Sequence, residues 1–491
     1  MKRIIITLSF VIATITSMNG QSIDEALRYS QLFYGGTARF QSMGGAFTSL
    51  GGDLSVLSMN PAGLGMFRST DISFTPQMFY NNSTSDFGGQ KSLDNAYDLN
   101  ISQFGIATPL NSGGGSSGLV SLNFGYSFSV TNNFAGNTII KGELGSSSMV
   151  DYFMDYAQGI DYKELTGTEW MLWNAWMIDT LSNNLSSYGS VFSNYGEDAN
   201  STYGQDVRRI ISSEGRSKEH SFSLAANFSD KIYLGFTFGV SSVFSIYQYD
   251  HLETDREDNI HPFDQFQYQE YVETDGKGYS VKLGAIIRPL EALRLGFAVH
   301  SPTVYRMNEY YFDYLSGSND GGGFGESQSD DFSFSYTLVT PLRVTTGASL
   351  QLGKKGILSA DYEFVDYKMA RYSKASNDYN YYQENQDIKS VFDVAHNFRF
   401  GAELRLTSSI YLRGGYALYG SGFAKDEDNR DNSSNILSGG IGIRQSNFYF
   451  DVSYALRSNT GDYFMYQNYN LNPASITYDR NMISATIGFK M

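Results

Sequence analysis

Residues 447–457, N-F-Y-F-D-V-S-Y-A-L-R, decide the fold, because apolar and polar side chains alternate along them. One face carries Phe448, Phe450, Val452, Tyr454 and Leu456, and the other carries Tyr449, Asp451, Ser453, Ala455 and Arg457. The same alternation recurs in 118–130 and 396–406. Period two over about ten residues is typical of a tilted membrane-spanning β-strand. A soluble β-sandwich is the alternative, but it does not need apolar faces this aromatic.

About fourteen such runs follow one another along the chain, and short joins alternate with long polar ones. The runs are 70–80, 100–109, 118–130, 219–229, 231–247, 277–288, 291–304, 341–352, 356–368, 395–407, 409–420, 435–446, 447–457 and 481–491. Bacterial outer-membrane barrels have short periplasmic turns and long external loops. An open sheet would leave unpaired backbone groups in hydrocarbon, so the sheet must close. The sequence therefore predicts an all-β, antiparallel transmembrane barrel of about 14 strands, with both ends in the periplasm.

The N-terminus and the composition indicate an exported protein. Residues 1–20 have a basic start followed by an apolar stretch, as in a signal peptide, and no later stretch is long enough for a spanning helix. We expect the outer membrane of a Gram-negative-type cell envelope. The 491 residues include no cysteine, which excludes disulfides and thiolate metal sites. The net charge of −16 argues against a nucleic-acid partner.

Residues 21–69 precede the barrel, predicted as 70–491, and do not have a strand pattern. They contain M-G-G-A-F at 43–47 and N-P-A-G-L at 60–64, which is apolar and glycine-rich and suits close packing. A plug inside the lumen is therefore predicted, with a loose periplasmic tail as the alternative. These motifs, after a signal peptide and ahead of a barrel, resemble the N-terminal hatch of the FadL/TodX family of outer-membrane transporters.

That resemblance implies passive uptake of fatty-acid-like and other hydrophobic compounds through a plugged 14-stranded barrel with a sideways exit. Asn60, Pro61 and Ala62 would be the hatch motif near that exit, beside 118–130, and Gly63 completes the compact turn. Two departures matter. The acidic pair often found upstream of N-P-A is here only Asp53, and the chain ends on Met491 rather than on an aromatic residue.

The long external loop predicted at 131–218 holds all three tryptophans, Trp170, Trp173 and Trp176. Helical spacing places Trp173 beside the other two and Met177 beside Trp173. A second helix is predicted in 148–165, with an apolar face. The two helices are expected to form either a groove that captures hydrophobic substrate or a mini-core within the loop.

Strand parity places several arginines in the lumen, and Arg405, Arg413 and Arg444 fall near the periplasmic end. Such cations can bind a carboxylate head group, or they can pair with lumen acids such as Glu403 and Asp451.

No catalytic motif stands in a suitable context, so no enzyme activity, cofactor or metal is expected. The expected partners are a hydrophobic small molecule, outer-membrane lipid and lipopolysaccharide. The sequence does not decide the oligomeric state, and a monomer is the expectation. Two other functions stay open: an accessory of protein secretion of type IX kind, and a structural or adhesin barrel.

Overall fold

The computed structural model describes residues 23–112, 118–181, 184–192, 203–376, 379–425, 431–466 and 471–491. The predicted signal peptide at 1–20 lies outside the described residues. Within those ranges, no helix is both long and apolar enough to cross a membrane.

Within the ranges given above, twenty-one strand segments make up most of the chain. They are β1 (Asp71–Phe87), β2 (Gln90–Ser112), β3 (Leu119–Asn133), β4 (Gly136–Leu144), β5 (Ile178–Thr180), β6 (Tyr188–Ser190), β7 (Gln205–Phe228), β8 (Ile232–Thr254), β9 (Phe263–Ile287), β10 (Leu293–His300), β11 (Val304–Asn319), β12 (Phe324–Gln328), β13 (Phe332–Val339), β14 (Arg343–Leu352), β15 (Gly356–Asp366), β16 (Arg371–Ser373), β17 (Val394–Arg405), β18 (Ile410–Tyr419), β19 (Ser434–Gln445), β20 (Phe448–Tyr463) and β21 (Ala474–Lys490).

Nineteen of these segments form one sheet that closes into an antiparallel barrel of 14 wall strands, which confirms the predicted fold class, and β5 and β6 pair with each other in a separate two-stranded sheet. Four wall strands consist of two segments each: β3 with β4, β10 with β11, β13 with β14, and β15 with β16. The ring closes where β1 pairs with β21 from Asp71↔Lys490 to Asp86↔Ser475. The end of the barrel with short connections is termed the short-turn end below, and the other is the long-loop end.

The described part of the chain has six α-helices, which lie inside the ring or in the long loops. They are α1 (Ile23–Ser30), α2 (Ala38–Ser42), α3 (Val56–Met59), α4 (Met149–Ala157), α5 (Gly167–Asn174) and α6 (Tyr382–Val391). Two 3-10 helices, Pro61–Met66 and Tyr367–Met369, complete the elements.

Alternation along each strand separates an apolar outer face from a polar lumen. In β20, Phe448 and Tyr454 are exposed outward, whereas Asp451 and Ser453 are buried inward. Each of the fourteen predicted runs falls in a wall strand. The strands continue beyond the predicted runs at the long-loop end: the join predicted at 81–99 is a hairpin in which β1 pairs with β2 as far as Phe87↔Gln90.

The N-terminal segment occupies the lumen and is buried along most of its length. Wall side chains donate to its backbone carbonyls: Lys282 Nζ to Ser58 at 2.7 Å and His300 Nε2 to Met59 at 2.6 Å. Further such bonds reach the carbonyls of Ser30, Ala46, Leu50, Leu57, Leu64 and Phe67. Because buried carbonyls need partners, the wall holds this plug at many points.

Buried ion pairs add to this attachment. Arg39 of α2 donates Nε to Glu403 Oε2 at 2.8 Å, and Arg413 donates Nε to the same oxygen at 2.6 Å. Arg413 also reaches Asp451 at 2.6 Å. Charge-assisted bonds between buried partners are strong and directional, so they fix the position of α2 against β17 and β18.

Backbone hydrogen bonding in the wall is interrupted between β2 and the β3–β4 strand. This interruption is termed the lapse below. The β2–β3 ladder ends at Gln103↔Ser129, and β4 pairs only with β7 among the described residues. The part of β2 from Gln90 to Ser102 therefore pairs with β1 alone. β4 lies inside β1 instead, and the side chains of Asn81, Ser83 and Ser85 donate to its strand carbonyls or to Ala135 just before it.

Candidate functional site in the barrel lumen

A cavity of about 70 Å³ lies between the plug and the wall. Its apolar lining includes Phe33, Phe40, Phe79, Val130, Ile436, Ala455 and Met482. A second space of about 280 Å³ adjoins it toward the long-loop end and shares Phe33, Asn132, Asn133, Arg457 and Arg480 with it. Small-molecule sites are concave and mostly apolar, and the lining of the first cavity has this character.

Two arginines enter this cavity from neighbouring strands. Arg457 of β20 and Arg480 of β21 are directly opposed in the register. The Arg457 guanidinium carbon lies 3.3 Å from the Phe33 ring centroid, and its Nε is shielded from solvent with no hydrogen-bond partner. Arg480 donates to Asn81 Oδ1 at 2.7 Å and to the carbonyl of Asn133 at 2.8 Å.

Neither arginine has an acidic partner among the described residues. The first cavity is lined by no Asp or Glu, and Asp479, which lines the second, accepts from Ser458 Oγ at 2.6 Å. By contrast, the buried Arg39, Arg343, Arg399 and Arg413 are each paired with a carboxylate.

Directly opposed like charges destabilise a sheet, and a shielded cation without a counterion is costly. An anion placed between the two guanidinium groups would therefore stabilise Arg457 and Arg480, because it would supply the missing counterion. The aromatic and aliphatic lining beside them suits the apolar remainder of the same molecule.

The cavity also borders the lapse in the wall. Plug residues pair with β3 at its inner face, where Phe33 donates N–H to Thr131 at 2.7 Å and Gly35 donates to Val130 at 2.8 Å. The register of β3 shifts between Val130 and Asn132, immediately beyond the last β2–β3 pair. Val130, Asn132 and Asn133 line the cavity, so its side wall is the part of β3 that has lost β2 as a neighbour.

The predicted lumen cations lie elsewhere, at the short-turn end. Arg405, Arg413 and Arg444 come together around the Tyr411 ring, with guanidinium carbons 5.8, 5.8 and 5.3 Å from its centroid. Arg413 is occupied by Glu403 and Asp451, and Arg405 is exposed and donates to carbonyls of its own turn. The structure thus brings the three together but does not place them in the cavity.

The predicted hatch turn packs on β8 and β9. Asn60 donates Nδ2 to the Thr48 carbonyl at 2.6 Å and accepts from the Ala62 N–H at 3.1 Å. A Cβ on Gly235 would lie 2.2 Å from the Pro61 carbonyl carbon, and one on Gly284 would lie 1.9 Å from Asn60 Oδ1. Only glycine permits this approach. Gly63 packs on Gly51 and Val56. The end of the turn also touches β3, because Asn123 donates to the carbonyls of Leu64 and Phe67, whereas Phe33–Gly35 pair with β3 next to the lapse.

The residues predicted for substrate capture divide into two environments. Trp173 is half-buried, with its ring centroid 5.4 Å from that of Tyr162, and Met177 is fully buried. Trp170 and Trp176 are 44% and 55% exposed. The apolar face predicted in 148–165 packs inward, as Val150, Phe153, Met154 and Ala157 are all buried in the same cluster as Met177.

The sequence did not indicate Arg457 and Arg480 as a pair. Arg457 stands on the polar face of 447–457, but Arg480 falls one residue before the predicted strand 481–491. Their juxtaposition depends on the β20–β21 register, and the signal is two arginines facing each other without an ion pair to a carboxylate, since the neighbouring Asp479 bonds to Ser458.

Comparison with solved structures supports the fold over nearly the whole chain. A Pseudomonas aeruginosa FadL homologue aligns with a TM-score of 0.56 and 12% identity, over 94% of this chain and 99% of that chain. The P. putida toluene transporter TodX aligns with a TM-score of 0.55 and 10% identity, over 93% and 99%. No family model and no curated protein sequence matches the chain. At these identities, the similarity establishes the fold.

Proposed function

We propose that this protein is an outer-membrane channel for passive uptake of hydrophobic molecules that carry an anionic group, such as fatty acids. The observation that carries the proposal is the pair of Arg457 and Arg480, two cations without carboxylate partners in a cavity with an apolar lining. A carboxylate between them would accept charge-assisted hydrogen bonds, while the tail lies against Phe33, Phe79 and Met482.

The exit that we propose is sideways, through the wall between β2 and β3. The plug is bonded to the wall at many backbone carbonyls, so a route straight through the lumen would require those bonds to break together. The lapse beyond Gln103↔Ser129 adjoins the cavity and needs no such rearrangement. Side-chain bonds from Asn133 and Arg216 to Asp98 span it, at 2.5 and 3.1 Å, and Asn137 donates to the Asn95 carbonyl at 3.5 Å. Breaking these few bonds opens a path into the bilayer.

The similar structures support the hydrophobic part of this proposal. One is a toluene transporter and the other is named as a FadL homologue. Neither name states what the present chain transports, and the choice of an anionic ligand rests on Arg457 and Arg480.

Replacing Arg457 with methionine tests the proposal, because methionine keeps an apolar stem and removes the charge. Binding of a long-chain fatty acid and of the alcohol of equal length is measured on the full-length protein in detergent. We expect the variant to bind the acid roughly 10- to 100-fold more weakly, since a hydrogen bond to a charged group contributes about 1.5–3 kcal/mol. Binding of the alcohol should change little.

Arg405→Met is the matched control, because Arg405 is an exposed lumen-side cation whose bonds stay within its own turn. Equal loss for acid and alcohol, or no loss for either, would overturn the assignment of an anionic ligand. If deletion of the gene instead stops export of surface proteins and leaves uptake unchanged, the secretion-accessory function is favoured.

A further inference from the structure

Three basic side chains project outward from neighbouring strands at one level of the wall. They are Lys218 on β7, Lys277 on β9 and Arg306 on β11, termed the basic row. Lys218 is opposite Ser242 of β8, which is in turn opposite Lys277. Lys277 is directly opposite Arg306. Lys277 and Arg306 are exposed and Lys218 is half-buried.

On β7, β9 and β11 the basic row lies where the apolar outer face ends, whereas on β8 the exposed Phe244 lies one step farther toward the long-loop end. The next outward residue toward the short-turn end is His220 on β7, Tyr279 on β9 and Val304 on β11. One further step along β7 is Phe222, which is exposed like its neighbour Phe238 on β8. Aromatic residues mark the membrane–water boundary of a barrel. Cations one step beyond them stand at the height of lipid head groups.

The basic row has no counterion in the part of the chain that the structure describes. Lys218, Lys277 and Arg306 make no hydrogen bond or ion pair with any described residue. The carboxylate closest in register is Asp275, one step toward the long-loop end, and it accepts from Asn308 Nδ2 at 3.2 Å. Lys277 and Arg306 are like charges directly opposed, which is unfavourable unless an anion lies between them.

We propose that the basic row binds the phosphates of an acylated, phosphorylated sugar lipid of the outer leaflet, of the kind that anchors lipopolysaccharide. The acyl chains would lie on Phe222, Phe238 and their neighbours, and the phosphates would contact the three cations. The proposal rests on the outer-membrane location given under the proposed function, but it does not depend on what the lumen transports.

Spacing favours a head group with two phosphates over an ordinary phospholipid. Neighbouring strands are about 4.8 Å apart, so a row that runs from β7 to β11 across three strand intervals extends over about 14 Å. One phosphate can lie between Lys277 and Arg306, and a second can reach Lys218. A row of three cations stands out in a protein with a net charge of −16. The acidic residues that produce this negative charge lie mainly in the long loops.

Replacing all three cations with glutamine tests the proposal. The purified full-length protein is placed in nanodiscs with bis-phosphorylated lipid A, with its dephosphorylated form or with phosphatidylglycerol, and retained lipid is counted by native mass spectrometry. We expect the parent protein to retain bis-phosphorylated lipid A in preference to the other two. The triple variant should retain at least tenfold less of it, because each cation near an anionic surface contributes to lipid binding.

The control is the pair Lys141→Gln and Arg208→Gln. Lys141 and Arg208 are likewise directly opposed and exposed, but Arg208 lies ten residues beyond Lys218 along β7, out of reach of the lipid. Folding of each variant is checked by heat-modifiable gel mobility, and fatty-acid binding is measured in parallel. Equal retention of lipid A by the triple variant, or equal retention of phosphatidylglycerol by the parent, would overturn the proposal. Fatty-acid binding should be unchanged, so failure here is separable from failure of the transport function.

Discussion

The plug is expected to loosen, without leaving the lumen, when Arg39 is replaced by methionine. Arg39 donates Nε and a terminal nitrogen to the two oxygens of Glu403 at 2.8 and 3.1 Å, and both side chains are buried. Methionine keeps contact with the Phe47 ring, which now lies 5.3 Å from the guanidinium carbon. The change therefore removes the charge-assisted bonds and little of the packing.

The size of the effect follows from what Glu403 retains. Removing one partner of a buried ion pair costs about 3–5 kcal/mol when the other is left uncompensated. Glu403 still accepts from Arg413 at 2.6 Å, so the loss should be smaller, about 2–3 kcal/mol. At about 1.4 kcal/mol per factor of ten, local opening of α2 becomes roughly 30- to 150-fold more frequent. The other wall-to-plug bonds keep the segment inside the ring.

Hydrogen exchange measured by mass spectrometry on the amides of 38–45 provides the assay. Arg68→Met is the control, because the Arg68–Asp230 pair joins the end of the same segment to the wall, with both side chains about half exposed. An exposed pair contributes about 0–1 kcal/mol, so exchange in 38–45 should not change in the control. Unchanged protection in Arg39→Met would refute the view that the buried ion pair holds the plug.

Two further predictions concern the long loop. Trp173→Ala should lower the free energy of unfolding of the loop by about 2 kcal/mol, because truncating a fully buried tryptophan costs about 3–5 kcal/mol and Trp173 is half-buried. Changing both Trp170 and Trp176 to Ala should leave the melting temperature unchanged and lower ligand capture. A shifted melting temperature without a change in capture would assign both rings to packing. Burial raises the pKa of Asp151 in α4 from 3.8 to about 6, so the folded loop binds the proton more tightly than the unfolded loop. The stability that this group contributes is therefore greatest below pH 3.8 and is lost as the pH rises through about 6. Protease resistance of the loop should fall over that pH range, and Asp151→Asn should abolish this dependence.

The lipid-facing part of each strand could be predicted from the sequence because one face meets hydrocarbon and the other meets a polar lumen. That contrast produces strict alternation in 447–457, and the wall strands were located from it. Beyond the bilayer both faces meet water or the loop core, so the alternation weakens. Residues 81–99 were for this reason predicted as a loop, although they form a hairpin that turns at Gly88 and Gly89.

The site was harder to predict because it depends on the strand register and on which charged side chains form ion pairs with each other. Parity predicted Arg413 in the lumen, but it did not reveal that Glu403 and Asp451 neutralise it. The opposition of Arg457 and Arg480 requires the pairing of β20 with β21, which a single sequence does not specify. The lapse beside β3 was implied only by resemblance, since no residue in 118–130 marks where a neighbouring ladder ends.

The closure of the ring between β1 and β21 has a consequence for biogenesis. The first helix of the plug, α1, is buried in the lumen toward the long-loop end. The Thr70 N–H, just before β1, donates to the carbonyl of Met491 at 3.2 Å. The strand that seals the cylinder thus follows every other wall strand in the chain, and the segment that it must enclose precedes them all. We expect the plug to be enclosed by a still-open sheet before β21 pairs with β1, because threading it afterwards would require every wall-to-plug bond to form inside a closed cylinder. Pairing of β1 with β21 is therefore expected to be the step that traps the plug in the lumen.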